Sequence, residues 1–167
     1  MTQAILSVGS NQNDPLSNIE TAFEALKHRF NDVKMSSLYL TEPVGSVPQA
    51  AFMNAAIMLE TDLNAAQLLE FLLNLEQAAL RDRHNEIPKG PRNLDLDLIF
   101  FGEEISHNET LELPHPRFRD RRFVLEPLAE IVQDFIDPIT QKSVAQLLAD
   151  CSDPSWVKML EGQSLAV

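Results

Sequence analysis

The order of hydrophobic patterns along the chain predicts an α+β fold in which an antiparallel sheet packs against helices. The chain has 167 residues, which suits one domain, since domains usually contain about 100–200 residues. Hydrophobic residues make up 44% of it, enough to build a core. Strand-like and helix-like segments follow one another in the order β-α-β-β-α-β. We therefore expect a single domain over residues 1–167.

The first half of the chain predicts one helix among three strands. The apolar segment 3–8 runs into Gly9-Ser10-Asn11, which is typical of a buried strand followed by a turn. Asp14-Pro15 predicts a helix start, because Asp caps helices and Pro is favoured at their first position. Apolar residues at helical spacing extend this helix to Phe30. The further predicted strands are Val33–Leu40 and Phe52–Thr61.

The second half predicts a helix, a strand and a C-terminal extension. Apolar spacing indicates a helix over Asn64–Arg83, and a β-rich segment follows over Asn93–Phe101. This order gives a ferredoxin-like α/β sandwich with a βαββαβ core. The extra elements are a polar strand pair near 104–105 and 111–113, an arginine-rich turn over 114–122, and helices near 124–131 and 143–148.

Charge and composition exclude several classes of protein. Lys and Arg number 13 and Asp and Glu 25, a formal charge of −12, which gives no attraction for nucleic acids or anionic lipids. The single cysteine, Cys151, cannot form an internal disulfide, which suits a reducing compartment. No signal peptide and no run of about 20 apolar residues is evident. We expect a cytoplasmic monomer with no membrane or nucleic-acid partner.

The pattern Leu94-Asp95-Leu96-Asp97-Leu98 carries the clearest chemical signal. Side chains alternate along a strand, so both aspartates face one side while the leucines face the core. Two neighbouring carboxylates on a strand favour a hard cation, and Mg²⁺ is typically held by one or two carboxylates plus substrate phosphates. The alternative is a solvated acidic face on an edge strand.

Basic residues concentrate around this pattern. Eight of the 13 lie between positions 81 and 122, and arginine binds phosphate through two parallel hydrogen bonds. The cluster therefore predicts a polyphosphate ligand, with surface ion pairs as the alternative. We assign Arg117, Arg119 and Arg122 to ion pairs. The full set is Arg81, Arg83, Lys89, Arg92, Arg117, Arg119, Arg121 and Arg122.

Four other side chains have two interpretations each. His115, fixed between two prolines, either donates to a phosphate or is structural. Asn54, among apolar neighbours, is either a satisfied core residue or a hydrogen-bonding partner for a heterocycle. Phe52 and Phe123 are either core residues or stacking platforms. The proline-rich loop 41–48 is either a plain connection or a lid over a substrate.

Together these motifs resemble the 6-hydroxymethyl-7,8-dihydropterin pyrophosphokinases of folate biosynthesis. The resemblance extends from Gly9-Ser10-Asn11 to the segment 123–131. Its most specific part is Gly90-Pro-Arg-Asn-Leu-Asp-Leu-Asp-Leu98, followed by Leu113-Pro-His-Pro116 and Arg121. The fold of that family is a ferredoxin-like sandwich, which agrees with the element order above.

The resemblance implies transfer of pyrophosphate from ATP to the hydroxymethyl oxygen of the pterin, with release of AMP. It implies that Asp95 and Asp97 hold two Mg²⁺ ions. The residues that it assigns to ATP or catalysis are Glu76, Arg81, Arg83, Arg92, His115 and Arg121. Those that it assigns to the pterin are Gly9, Thr41, Glu42, Pro43, Val44, Phe52, Asn54 and Phe123.

Two other functions remain as alternatives. A nucleotidyltransferase also combines an early Gly-Ser with Asp-x-Asp, although there the two elements lie close together in sequence. A catalytically weak or inactive homologue that binds a pterin or a nucleotide is the second, but binding alone does not need two metal carboxylates.

Overall fold

The computed structural model describes residues 1–43, 48–79 and 93–160. Within these residues the four α-helices are α1 (Pro15–Arg29), α2 (Ala65–Ala79), α3 (Arg122–Val132) and α4 (Val144–Asp150), and a 3₁₀ helix covers Phe118–Asp120. The strands are β1 (Thr2–Ser10), β2 (Asn31–Met35), β3 (Tyr39–Thr41), β4 (Phe52–Thr61), β5 (Asp95–Phe101), β6 (Ser106–His107), β7 (Glu112–Leu113) and β8 (Val157–Met159).

Six of these strands form one sheet, in the order β5-β1-β4-β3-β8, and β2 also pairs with β4. Every pairing is antiparallel. The prediction of a ferredoxin-like antiparallel sheet with extra C-terminal helices is confirmed. Because β1 and β4 occupy the centre, residues near the end of β1 and the beginning of β4 meet strand neighbours on both sides.

Helices α1 and α2 cover one face of the sheet. The α1 helix begins where the sequence predicts: the Asp14 carboxylate accepts a hydrogen bond from the Ser17 backbone N–H, and Pro15 follows it. Ile19, Phe23 and Leu26 of α1 are buried in the core with alternate residues of β1 and β4. This packing holds the strands without contributing side chains to the opposite face.

Helices α3 and α4 cover part of the other face. Their core contains Ile5, Ala56, Phe100 and Leu125. Gly9, at the far end of β1, lies beyond this cluster. Within the described residues, the α3–α4 core therefore does not extend to that end of the face.

A bulge in β5 changes which residues face this second core. Leu6 pairs with Leu98 but Ile5 pairs with Phe100, so Ile99 is an extra residue between the two pairs. Ile99 and Phe100 consequently both pack in the α3–α4 core. Before the bulge, from Asp95 to Leu98, successive side chains alternate regularly between the two faces of the sheet.

The structure corrects the predicted strand Val33–Leu40, which divides into β2 and β3. Ser37 lies in the break, and its backbone N–H donates to the Glu130 carboxylate of α3 at 2.9 Å instead of to a strand. Of the predicted polar strand pair, the first strand occurs just after the predicted 104–105, as β6, and the second lies within the predicted 111–113, as β7. The predicted end of the second helix at Arg83 lies outside the described residues.

No helix in the described ranges is long and apolar enough to cross a membrane.

Candidate active site

Asp95 and Asp97 lie on β5 and face the same side of the sheet, as the alternation predicts. Asp95 is opposite Gly9 of β1 and Asp97 is opposite Ser7. Both aspartates are partly exposed, whereas Leu96 between them is 4% exposed. The Asp97 carboxylate forms no hydrogen bond or ion pair with the side chains that the structure describes. It is therefore open to a ligand.

Glu76 of α2 binds the backbone of β5 between the two aspartates. Its carboxylate accepts a hydrogen bond of 2.7 Å from the backbone N–H of Leu96. Because β5 is an edge strand of the sheet as far as residues 1–43, 48–79 and 93–160 form it, this N–H points away from β1 and needs a partner outside the sheet. Glu76 thus fixes the backbone between the two aspartates. The expected contact of Glu76 with ATP stays a prediction.

Gly9 of β1 lies between the hydrogen-bonded pair Asn54 and Thr41 on one side and the aspartates of β5 on the other. It is opposite Asn54 of β4 on one side and Asp95 on the other. Asn54 is 4% exposed, and its Nδ2 donates to Thr41 Oγ1 at 2.5 Å. A Cβ atom at position 9 would collide with Asn54 Oδ1. Only glycine leaves the Asn54 amide in its place.

We expect Gly9→Ala to displace the Asn54 side chain and to lower the free energy of unfolding by about 1–3 kcal/mol, the usual cost of overpacking. Urea denaturation measures this loss. Ser7→Ala, two residues earlier on β1, is the control because it adds no atoms. An unchanged urea midpoint in Gly9→Ala would contradict the expectation.

His115 is held against β5 with its ring near Asp97. Its backbone N–H donates to the Ile99 carbonyl at 2.9 Å, and its Nδ1 accepts from the Arg117 backbone N–H at 3.1 Å. The pKa of His115 is lowered overall. Burial is the largest cause, the Asp97 carboxylate opposes it by raising the pKa, and the positive charges of Arg121 and Arg117 lower the pKa further. The ring is therefore neutral at neutral pH, with its proton on Nε2. A neutral Nε2–H can donate to a phosphate oxygen.

Two of the three arginines assigned to ion pairs have acidic partners. Arg119 pairs with Asp137 at 2.6 Å, and Arg122 approaches Glu126 at 3.5 Å. Arg117 is a correction: it forms no ion pair with any described residue. Its backbone N–H donates to His115 Nδ1, and the residue lines a cleft. Four predicted site residues lie outside the described residues: Val44, Arg81, Arg83 and Arg92.

A cleft of about 420 Å³ opens beside Phe123. Its lining includes residues that the family resemblance assigned to ligands, namely Glu42, Pro43 and Phe123 to the pterin and Arg121 to ATP. Phe52 pairs with Thr41, so it lies at the same end of the sheet. Asp120, Asp153 and Ser155 also line the cleft, and the sequence did not predict them there. Arg117 lines it too, although it belongs to the basic cluster and was expected to form an ion pair. Asp153 and Ser155 reach the cleft from a segment distant in sequence, which no local pattern reveals, whereas Arg117 and Asp120 are close in sequence to Arg121.

Comparison with known proteins identifies the family. Residues 5–133 match the family model described as 7,8-dihydro-6-hydroxymethylpterin-pyrophosphokinase (HPPK). The chain belongs to this family. A pyrophosphokinase of Haemophilus influenzae is 34% identical over 95% of this chain and 99% of that protein, and one of Bacillus subtilis is 43% identical over 78% of each.

Solved structures support the same fold. The HPPK-DHPS protein of Plasmodium falciparum superimposes with a TM-score of 0.68 over 89% of this chain at 14% identity. The chain spans 43% of the length of that fused protein. This likeness concerns the fold only.

Membership in the HPPK family confirms the predicted activity. The chain is a diphosphokinase that transfers pyrophosphate from ATP to hydroxymethyldihydropterin in folate synthesis. Neither a nucleotidyltransferase nor an inactive binding homologue is favoured.

Proposed function

We propose that Asp95 and Asp97 hold two Mg²⁺ ions during this transfer. The single observation that carries the proposal is the pair of partly exposed carboxylates on one face of β5, beyond the α3–α4 core. Among the described residues, no group of three or more His, Cys, Asp or Glu side chains could enclose a metal ion. Two carboxylates that leave room for phosphate oxygens suit Mg²⁺. When bound, Mg²⁺ neutralises phosphate charge and lowers the pKa of a coordinated hydroxyl.

We assign the triphosphate of ATP to the arginine-rich side of the site. His115 Nε2–H and the Arg121 guanidinium are the donors that we assign to the phosphates, since the charges of both Asp97 and Arg121 act on His115. Guanidinium groups are suited to phosphate because they are planar and always charged. The other residues assigned to ATP, on the basis of the resemblance to the family, are Glu76, Arg81, Arg83 and Arg92.

We assign the pterin to the end of the sheet formed by β1, β3 and β4. Asn54 and Thr41 supply neighbouring amide and hydroxyl groups, which match the donor and acceptor edge of a heterocycle. Gly9 lets the ring approach the backbone. Phe123 and Phe52 provide apolar surface. The segment Glu42–Pro43–Val44 completes this set.

The chemistry needs positioning more than a strong base. The hydroxymethyl oxygen attacks the β-phosphorus, the bond from that phosphorus to the bridging oxygen of the α-phosphate breaks, and AMP leaves with that oxygen. The hydroxyl proton passes to solvent. In-line alignment and charge neutralisation supply most of the rate in such transfers. The arginines and His115 hold the phosphates while the Asn54 region holds the alcohol.

We also propose that residues 1–167 form one pyrophosphokinase domain that acts as a monomer in the cytoplasm. The charge of −12 supports the absence of a nucleic-acid partner, because like charges repel. Cys151 as the only cysteine suits a reducing compartment.

The test of the reaction measures AMP formation from ATP and Mg²⁺, with and without 6-hydroxymethyl-7,8-dihydropterin. We expect AMP release to depend on the pterin and to match a pyrophosphorylated pterin in amount. Removal of Mg²⁺ by EDTA stops it, and added Mg²⁺ restores it. Release of pyrophosphate instead of AMP would indicate nucleotidyl transfer, and binding without turnover would indicate an inactive homologue.

A further inference from the structure

The segment from Cys151 to Trp156 connects two walls of the cleft. It lies outside residues 5–133, the part that the family model matches. Asp153 and Ser155 of this segment line the cleft together with Arg121 and Phe123. The segment contacts both walls through specific hydrogen bonds.

The first wall is the beginning of α3. The Arg122 backbone N–H donates to Asp153 Oδ2 at 2.9 Å, and Arg122 Nε donates to the Asp153 carbonyl at 3.0 Å. Arg122 Nη2 also donates to the Cys151 carbonyl at 3.0 Å. A carboxylate at a helix N-terminus is stabilised by the free N–H groups and the helix dipole. Phe123, the next residue, is thereby fixed relative to Asp153.

The second wall is the end of β3. The Glu42 backbone N–H donates to the Trp156 carbonyl at 3.1 Å, and the Trp156 backbone N–H donates to Glu42 Oε1 at 3.1 Å. Strand β8 continues this contact by pairing Val157 with Thr41. The second oxygen of Asp153 accepts from the Ser155 backbone N–H at 2.9 Å, which closes the turn between the two walls.

We propose that Asp153 is a positioning residue for the pterin substrate. Its two carboxylate oxygens join the first turn of α3 to the segment that holds Glu42, and so fix the separation of Phe123 from Pro43. This inference rests on the proposed function, because it takes Phe123 and the segment 41–43 as the pterin walls. Asp153 acts through these walls and does not touch the reacting atoms. Its loss therefore weakens binding of the pterin more than binding of ATP, because Phe123 and Pro43 are assigned to the pterin.

The test compares the affinities of the two ligands in Asp153→Ala. We expect the dissociation constant of the pterin, measured by calorimetry with a non-hydrolysable ATP analogue present, to rise about tenfold. A charge-assisted hydrogen bond of about 1.5 kcal/mol corresponds to that factor. The dissociation constant of the analogue alone stays within about twofold. Asp153→Asn keeps one acceptor oxygen and gives an intermediate value.

Two further variants make the outcomes distinct. Lys142→Ala removes an exposed ion pair with Asp150 in the same C-terminal region and should change neither affinity. Phe123→Ala should weaken pterin binding on its own. If Phe123→Ala does so and both Asp153 variants bind the pterin like wild type, the inference is wrong and the proposed function stands. If Asp153→Ala weakens both ligands equally, its role is structural and the inference is also wrong. If Phe123→Ala has no effect, the assignment of the pterin wall fails and the inference fails with it.

Discussion

Asp97→Ala abolishes Mg²⁺-dependent formation of AMP while the protein remains folded. We expect a loss of at least about 10³-fold in kcat, because a metal ion contributes several kcal/mol to stabilising transition-state charge. The fold survives because the Asp97 side chain is partly exposed and contributes no hydrogen bond or ion pair to the described structure. The measurement is a steady-state assay of AMP, with circular dichroism as the check on folding.

Two control variants sharpen this result. Asp97→Asn keeps the size of the side chain but removes its charge, and we expect nearly the same loss. Asp62→Ala removes an exposed carboxylate that forms an ion pair with Arg29 at 3.5 Å. Asp62 is far from the proposed metal site, because its neighbour Thr61 pairs with Thr2 at the other end of the sheet. It should leave AMP formation unchanged. Near-normal AMP release by Asp97→Ala would overturn the proposed metal site.

Asp137→Ala should cause the largest loss of stability. The Asp137 side chain is fully buried and accepts hydrogen bonds from Arg119 Nε at 2.6 Å, Arg119 Nη2 at 3.0 Å, the Ile139 N–H at 3.0 Å and Thr140 Oγ1 at 2.8 Å. Removing one partner of a buried ion pair costs about 3–5 kcal/mol, because the other charge is left without compensation. Urea denaturation at neutral pH measures the loss. Lys142→Ala, which breaks an exposed pair, should cost less than about 1 kcal/mol.

The same carboxylate gives this prediction a pH dependence. Burial raises the pKa of Asp137, but hydrogen bonds from Arg119, Ile139 and Thr140 outweigh burial and hold the pKa below its ordinary value of 3.8. The ionised form therefore stabilises the folded protein above that value, and this stabilisation is lost as the pH falls through the lowered pKa. The difference in unfolding free energy between wild type and Asp137→Ala should narrow below about pH 4. A difference that stays constant down to acid pH would contradict the ion-pair explanation.

The sequence by itself determined the features that depend on neighbouring residues. Asp14-Pro15 marked the start of α1, because capping and proline geometry act within one helical turn. The alternation around Asp95 and Asp97 placed both carboxylates on one face, because a strand has a period of two residues. The element order determined the ferredoxin-like topology for the same reason. Each helix and each strand of the βαββαβ core, except the divided strand, shows its own periodicity.

Only the tertiary structure decided the features whose partners are distant in the chain. Strand β3 separated from β2 because Glu130, 93 residues after Ser37, takes the Ser37 backbone N–H. Strand β8 is short, and it forms only because the edge of β3 is present to pair with it. Asp153 lies at the cleft because its carboxylate accepts a hydrogen bond from the Arg122 backbone N–H, and no local sequence pattern connects those two positions. Hydrogen bonds between such distant residues become favourable only when the packed core has already brought the segments together. The sequence around each residue therefore does not predict these hydrogen bonds.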